Sequence, residues 1–260
     1  MDLQLTGKRA LVTGGSRGIG KAVATELIAE GAVVTICARD HTRLKTAADA
    51  LGAYGVTADT GNDQSVRSLV DSATEQMGGI DILVNAAATP AGQSRPPALA
   101  EITPEAFWAD VNVKVLGYLR CAQAVAPGMV ARGWGRIISV SGLAARGTGS
   151  IIGSIRNVSV AAMTKNLADE LGPQGVNATV VHPGLTRTEA TPGVIAARAT
   201  AQGIGPAEVE RTLAAMNTIG RLVTAAEVAQ VITFLASPLS VSINGDAVAC
   251  GGGAPGAIYY

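Results

Sequence analysis

Short apolar runs alternate along this chain with longer stretches in which apolar residues recur every three or four positions. Arg9-Ala10-Leu11-Val12-Thr13 leads into glycines and predicts a buried strand. Residues 19–30 carry apolar positions at helical spacing, and Gly31 supplies a stop. Residues 33–37 are β-rich and predict the second strand, 42–51 a helix and 54–58 the third strand. Residues 62–77 predict an amphipathic helix ended by Gly78-Gly79, and 80–84 the fourth strand.

The three prolines and one glycine of residues 89–97 predict a loop. Thr103-Pro104 reads as an N-cap with proline at the first helical position, and the helix runs to residue 131 with a break near Gly117. A strand over 135–140 and a long helix over 152–171 follow, the latter ended by Gly172-Pro173. Residues 176–181 form the sixth strand. The Ala-rich, polar stretch 190–217 predicts a mobile helical flap. Thr224-Ala225-Ala226-Glu227 matches a capping box opening a helix to residue 235, and 247–249 predicts a short last strand. Strands separated by helices pair in parallel through right-handed crossovers. The expected fold is α/β: a single domain over residues 1–260, built on an open, doubly wound parallel sheet with helices on both faces. No composition break or internal repeat argues otherwise.

Composition removes several function classes. Apolar residues make up 48% of the 260, aromatics only 3%, so aliphatic side chains must fill the core. Twenty basic and twenty acidic residues cancel, with no basic stripe for nucleic acid or an anionic membrane. Cys37, Cys121 and Cys250 lie far apart, which suits a reducing compartment and suggests no metal cluster. Residues 1–9 hold no apolar leader, and no apolar run is long enough to span a bilayer, so the expected location is the cytoplasm.

The glycines at 14, 18 and 20 give a G-x-x-x-G-x-G turn at a strand-to-helix junction. Gly14 permits the tight turn, Gly18 lets backbone approach a pyrophosphate at the helix N-terminus, and Gly20 permits close helix–sheet packing.

With this turn, Asp59 before a helix, Asn85-Ala86-Ala87-Ala88, Gly135-Arg136-Ile137-Ile138, Pro183-Gly184 with Thr188, and the Gly-rich end, the chain resembles a short-chain dehydrogenase/reductase. The likeness is to the 3-oxoacyl-carrier-protein-reductase-like kind and covers essentially the whole chain. It implies a nicotinamide dinucleotide bound by Gly14, Ser16, Arg17, Gly18, Ile19, Gly20, Arg39, Asp59, Thr60, Asn85, Ala86, Ala87, Pro183, Gly184, Thr186 and Thr188. Asp59 would hold the adenine amino group, and Pro183-Gly184 would flank the nicotinamide. Ala38 stands where an NAD(H)-selective relative would place Asp, while Arg39 and Arg17 offer guanidiniums to a 2′-phosphate. NADP(H) is therefore expected over NAD(H), although Asp40 subtracts from that positive charge. The resemblance also implies a homotetramer assembled through helices 103–131 and 152–171, acting on a small-molecule substrate.

Such enzymes use a Tyr as proton donor, a Lys one helical turn later that lowers the Tyr pKa, a Ser that positions the carbonyl oxygen, and an Asn supporting a water relay. A phenol with pKa ~10 needs that cation to work near neutrality. Aligned on residues 163–173, the Tyr and Lys positions hold Gly153 and Asn157. The Asn position holds Lys114, with Asn112 as the alternative. The Ser position holds Gly142, with Ser141 beside it. The catalytic candidates are therefore Ser141, Lys114, Asn112 and Asn157, with Lys114 and Asn157 as a possible exchange of the Lys and Asn roles. Three readings follow: an oxidoreductase with a non-standard proton donor (Ser141, Lys114 or a water), an NADP(H)-binding non-redox enzyme, and an inactive partner or regulatory subunit.

Other residues have plainer expectations. Arg156 reads as a helix-surface charge and His182 as a packed strand-end residue. His41 reads as a solvated loop residue, and Phe107, Trp108 and Tyr118 as helix packing. Tyr259 and Tyr260 form a tail that could dock on a neighbouring subunit. Substrate choice would be set by the 89–97 loop and the 190–217 flap.

Overall fold

The computed structural model describes residues 1–88, 96–256 and 258. Strand and helix alternate from the start: β1 (Arg9–Thr13), α1 (Gly18–Ala29), β2 (Val33–Ala38), α2 (His41–Leu51), β3 (Tyr54–Thr57), α3 (Asp63–Met77) and β4 (Ile82–Asn85). Then come α4 (Pro104–Val111), a π-helical turn (Asn112–Leu116), α5 (Gly117–Ala131), β5 (Gly135–Val140), α6 (Ile151–Leu171) and β6 (Val176–Pro183). The chain closes with β7 (Thr186–Arg187), α7 (Thr191–Gln202), α8 (Pro206–Ala214), β8 (Val223–Thr224), α9 (Ala225–Ala236) and β9 (Ala247–Cys250).

Seven strands form one sheet in the order β3-β2-β1-β4-β5-β6-β9, every neighbour parallel. Side chains alternate across it, so each strand feeds two cores. Ala10 and Val12 of β1 join Val34, Ile36, Val84, Ile138 and Val181 against α1 and α9. Leu11 joins Leu83, Ile137 and Ala178 against α3, α5 and α6. All strands end at one edge, and the winding reverses between β1 and β4, where a doubly wound sheet opens its crevice.

Three details refine the sequence expectation. The break near Gly117 is a π-helical turn just before it, and the chain stays helical from α4 into α5. A Cβ on Gly117 would lie 2.9 Å from the Thr60 carbonyl oxygen, so the glycine permits close approach there and does not end the helix. The 190–217 stretch folds as α7 and α8 around its own apolar cluster of Ile195, Ala199, Val209, Leu213 and Leu222. Strands β7 and β8, two residues each, pair in parallel at its base and are too short to leave a periodic signal. Most of the 89–97 loop and both terminal tyrosines lie outside the described residues. Among those described, no helix is long and apolar enough to cross a membrane, and no group of His, Cys, Asp and Glu could hold a metal.

Candidate active site

The glycine turn closes tightly on the crevice. Gly14 has φ +68, and a Cβ there would sit 2.9 Å from Ala86 O and Ala87 Cα. A Cβ on Gly20 would come within 2.4 Å of the Gly14 carbonyl oxygen, so α1 lies directly on the turn. Thr13 Oγ1 accepts the amide N–H groups of Ala86 (3.0 Å) and Ala87 (3.2 Å), which joins the ends of β1 and β4. Gly15 N–H donates to Cys37 O (3.1 Å), bringing Ser16 and the exposed Arg17 toward the end of β2, where Arg39 is also exposed. Arg17 is the extended N-cap of α1, and its side chain caps nothing. The Gly18 N–H instead donates to Glu189 Oε2, 3.0 Å away and 171 residues along the chain. Ile19 is half-buried behind it.

The remaining residues of the predicted cofactor set fall along the same edge with varied attachments. Asp59 Oδ1 accepts from Gly61 N–H (2.9 Å), and Thr60 is buried. Asn85 is fully buried with Nδ2 3.5 Å from Tyr118 O, while its Oδ1 has no partner. Pro183 ends β6. A Cβ on Gly184 would reach Gly251 Cα at 2.9 Å, Thr186 Oγ1 donates to Gly184 O (3.1 Å), and Thr188 N–H donates to Thr191 Oγ1 (2.8 Å).

Three of the four catalytic candidates converge at the end of β5. Lys114, on the π-helical turn, is 4% exposed, and its Nζ donates to Ser141 O at 2.8 Å. Burial brings its pKa down to about 7; Arg156 pushes the same way and Asp110 opposes. Ser141 Oγ donates to the backbone carbonyl of Asn157 (3.0 Å). Asn157 is buried with Oδ1 unpartnered, and a Cβ on Gly142 would lie 3.2 Å from its Nδ2, so the carboxamide fills the space beside Gly142. Asn112 stands apart: its Nδ2 donates to Gly61 O (3.0 Å), and its Oδ1 accepts from Arg120 (2.9 Å). Gly153 lies in the first turn of α6, where its N–H donates to the Ser150 cap (3.0 Å).

Arg156 corrects the surface-charge expectation. It is 6% exposed, and its Nη1 alone donates to both Asp110 Oδ1 (2.5 Å) and Oδ2 (2.7 Å), pinning α6 to α4, while its buried Nε has no partner. Asp110, Arg156 and Glu189 escaped sequence reading because their partners lie 46 and 171 positions away. His182 is buried beside Ser141 on β6, and burial first, with Arg146 and Lys114 adding, lowers its pKa to about 4. Tyr118 is buried with its hydroxyl on Val140 O (3.1 Å). Trp108 departs from packing: it is exposed, and its ring meets that of Phe107 edge-on. His41 opens α2 and meets Thr57 Oγ1 at 3.1 Å.

Comparison with known proteins agrees with this architecture. Residues 14–254 match the enoyl-(acyl carrier protein) reductase family. The chain is 35% identical to the short-chain reductase protein NovJ of Streptomyces niveus, covering 95% of this chain and 93% of that one. It is 33% identical to the 3-oxoacyl-[acyl-carrier-protein] reductase FabG of Vibrio cholerae, covering 96% and 98%. Among solved structures, a variant actinorhodin polyketide ketoreductase with NADPH superposes with a TM-score of 0.87 at 29% identity, over 94% of this chain and 96% of that one. A ribose-5-phosphate isomerase from Brucella melitensis superposes with a TM-score of 0.85 at 28% identity, over 95% and 92%. The glycine turn, the seven-stranded parallel sheet and these matches over nearly the whole length make the chain a member of the short-chain dehydrogenase/reductase family, of the 3-oxoacyl-acyl-carrier-protein-reductase-like kind.

Proposed function

We propose that this protein is an oxidoreductase that moves hydride between NADP(H) and a small carbonyl or alcohol substrate, with Lys114 handling the proton. One observation carries the reading: a buried amine with its pKa lowered to about 7 at the end of β5. An acid–base group works best when its pKa lies near the working pH. Lys114 can therefore give a proton to a developing alkoxide and recover it from solvent. Ser141 already donates its hydroxyl proton to Asn157 O, which leaves Lys114 as the donor among the candidates and Ser141 as a positioning residue.

The glycine turn fits a dinucleotide, because Gly14 and Gly20 leave no room for a Cβ against Ala86–Ala87 and the turn itself, and neither α1 nor its N-cap residue Arg17 supplies a side-chain cap to the helix N-terminus. When bound, the nicotinamide supplies or accepts the hydride. In this reading the α1 turn (Gly14, Ser16, Gly18, Ile19, Gly20) holds the pyrophosphate. Asp59, Thr60, Asn85, Ala86 and Ala87 line the adenosine side, and Pro183, Gly184, Thr186 and Thr188 the nicotinamide side. Arg17 and Arg39, both exposed beside the end of β2, favour the 2′-phosphate of NADP(H). The likeness to a ketoreductase solved with NADPH supports that choice. Exposed Trp108, Ile151, Ile155 and Val158 lie on α4 and α6, which supports assembly through these helices. In this reading the assembly is a homotetramer working in the cytoplasm.

A second reading, cofactor binding without redox turnover, is favoured by Gly153, which puts no side chain at the position where the resemblance to the family leads one to expect the tyrosine. Titration of the purified protein with NADPH and then NADH, followed by nicotinamide fluorescence, tests the cofactor. Micromolar binding with NADPH preferred supports it, and binding of neither overturns it. Loss of hydride transfer to a panel of small ketones and aldehydes in Lys114→Met, with NADPH binding kept, separates the two readings; absence of turnover in the unaltered protein favours the second.

A further inference from the structure

The N-terminus of α1 has an occupant of its own. No side chain within this helix caps it and no acidic residue lies in its first turn, so its free N–H groups and positive dipole end need an anion. Glu189 supplies one, its carboxylate accepting the Gly18 N–H at 3.0 Å. The contact borders a cavity of about 330 Å³ also lined by Lys21, Thr25, Arg187 and Thr188. Of its lining residues Glu189 alone is acidic, and it is exposed, so no packing holds it in place. Glu189 stands just before α7, whose helical pair with α8 is tied back through the Arg187–Glu210 ion pair.

We propose that Glu189 is a built-in competitor for the phosphate seat of the glycine turn: its carboxylate must leave the Gly18 N–H before a dinucleotide phosphate can take that place. The inference rests on the reading that a dinucleotide binds here. Two anions crowded onto one helix end repel, and sharing the Gly18 N–H between them weakens both bonds. Departure of Glu189 also removes one tie between α1 and the segment that leads into α7, which links cofactor arrival to the helical pair that carries Thr188 at its root.

Full-length Glu189→Gln and Glu189→Ala variants, compared with the unaltered protein by NADPH fluorescence titration and by thermal melting, test this. Glutamine keeps an oxygen for the Gly18 N–H but removes the charge; alanine removes the occupant. Both dissociation constants should fall about three- to tenfold, with the larger gain at low salt, as one exposed helix-end charge dictates. Unchanged or weaker NADPH binding, with the melting temperature kept, overturns the proposal. If a variant melts early, inorganic pyrophosphate serves as the second probe: it should raise the melting temperature of Glu189→Gln more than that of the unaltered chain, and an equal rise overturns the proposal. NADPH binding by the variants but not by the unaltered chain supports it in its strongest form. Binding by none of the three removes the dinucleotide reading, and the proposal with it.

Discussion

Lys114→Met tests the electrostatics of the site without any substrate. Lys114 is buried to 4% exposure and keeps one hydrogen bond, to Ser141 O. Its pKa falls from 10.5 to about 7, caused first by burial and then by Arg156, against Asp110. Asp110 faces it from α4, Arg156 from α6, and His182 lies within electrostatic reach on β6. The unfolded chain therefore binds a proton between about pH 7 and 10.5 that the native chain does not, so this residue's contribution to stability rises with pH across that window. At about 1.4 kcal/mol per pH decade, the penalty is about 5 kcal/mol at pH 6.5 and about 2 kcal/mol at pH 9.0. Methionine matches the stem and carries no charge, but it orphans the Ser141 carbonyl at a cost of about 1–3 kcal/mol. Urea unfolding at fixed protein concentration should thus find the variant more stable at pH 6.5, by about 2–4 kcal/mol. That advantage should shrink by about 3 kcal/mol on going to pH 9.0. A stability difference that stays constant within about 1 kcal/mol over this range would show that Lys114 is not held near neutrality, and the proton-donor argument would fail with it.

Gly20→Ala should lower the melting temperature by about 5 °C or more and abolish NADPH binding, because its Cβ meets the Gly14 carbonyl at 2.4 Å; an unchanged melt would refute that packing. Arg39→Asp should weaken NADPH at least about tenfold while leaving NADH unchanged or tighter, and equal losses for both would place Arg39 away from the 2′-phosphate. Asp110→Asn strands the buried Arg156 charge and should cost about 3–5 kcal/mol in urea unfolding, most of it recovered in Asp110→Asn/Arg156→Met. Additive losses in that pair would mean the two residues are not coupled. Ile155→Glu with Val158→Glu should reduce the assembled mass measured by light scattering, and an unchanged mass would move the interface elsewhere.

The sheet was legible because β1, β4 and β5 are short apolar runs bounded by glycines or helix stops, and alternation with helices forces parallel pairing. The glycine turn was legible for the same local reason: its function depends on three positions within seven residues. Strands β7 and β8 were not legible, since two residues carry no period. In the catalytic half the resemblance leads to Gly153 and Asn157 in the expected Tyr and Lys places, and what stands there in the structure depends on contacts between distant elements. Lys114 reads as an ordinary helix lysine until a π-helical turn and the end of β5 bury it, and Arg156 reads as a surface charge until Asp110 is brought beside it. Asn112 shows the reverse: its residue type suited the site, but backbone and guanidinium groups near Gly61 hold it elsewhere.

The Ser150 cap on α6 bears on how this chain could acquire a phenol at position 153. A tyrosine Cβ there would stand 2.8 Å from Ser150 Oγ and 3.1 Å from Ser150 Cβ. Ser150 would have to rotate away, and the helix would lose a cap worth about 1 kcal/mol. A serine at 142 would meet Asn157 Nδ2 at 3.2 Å, so that carboxamide would have to move as well. Each replacement made alone thus works against its neighbour, and an advantage requires positions 142, 150, 153 and 157 to change in concert. Single-step mutational paths from this sequence to a tyrosine-bearing site run downhill in stability before they rise, so a library that varies these four positions jointly will reach variants that stepwise selection does not.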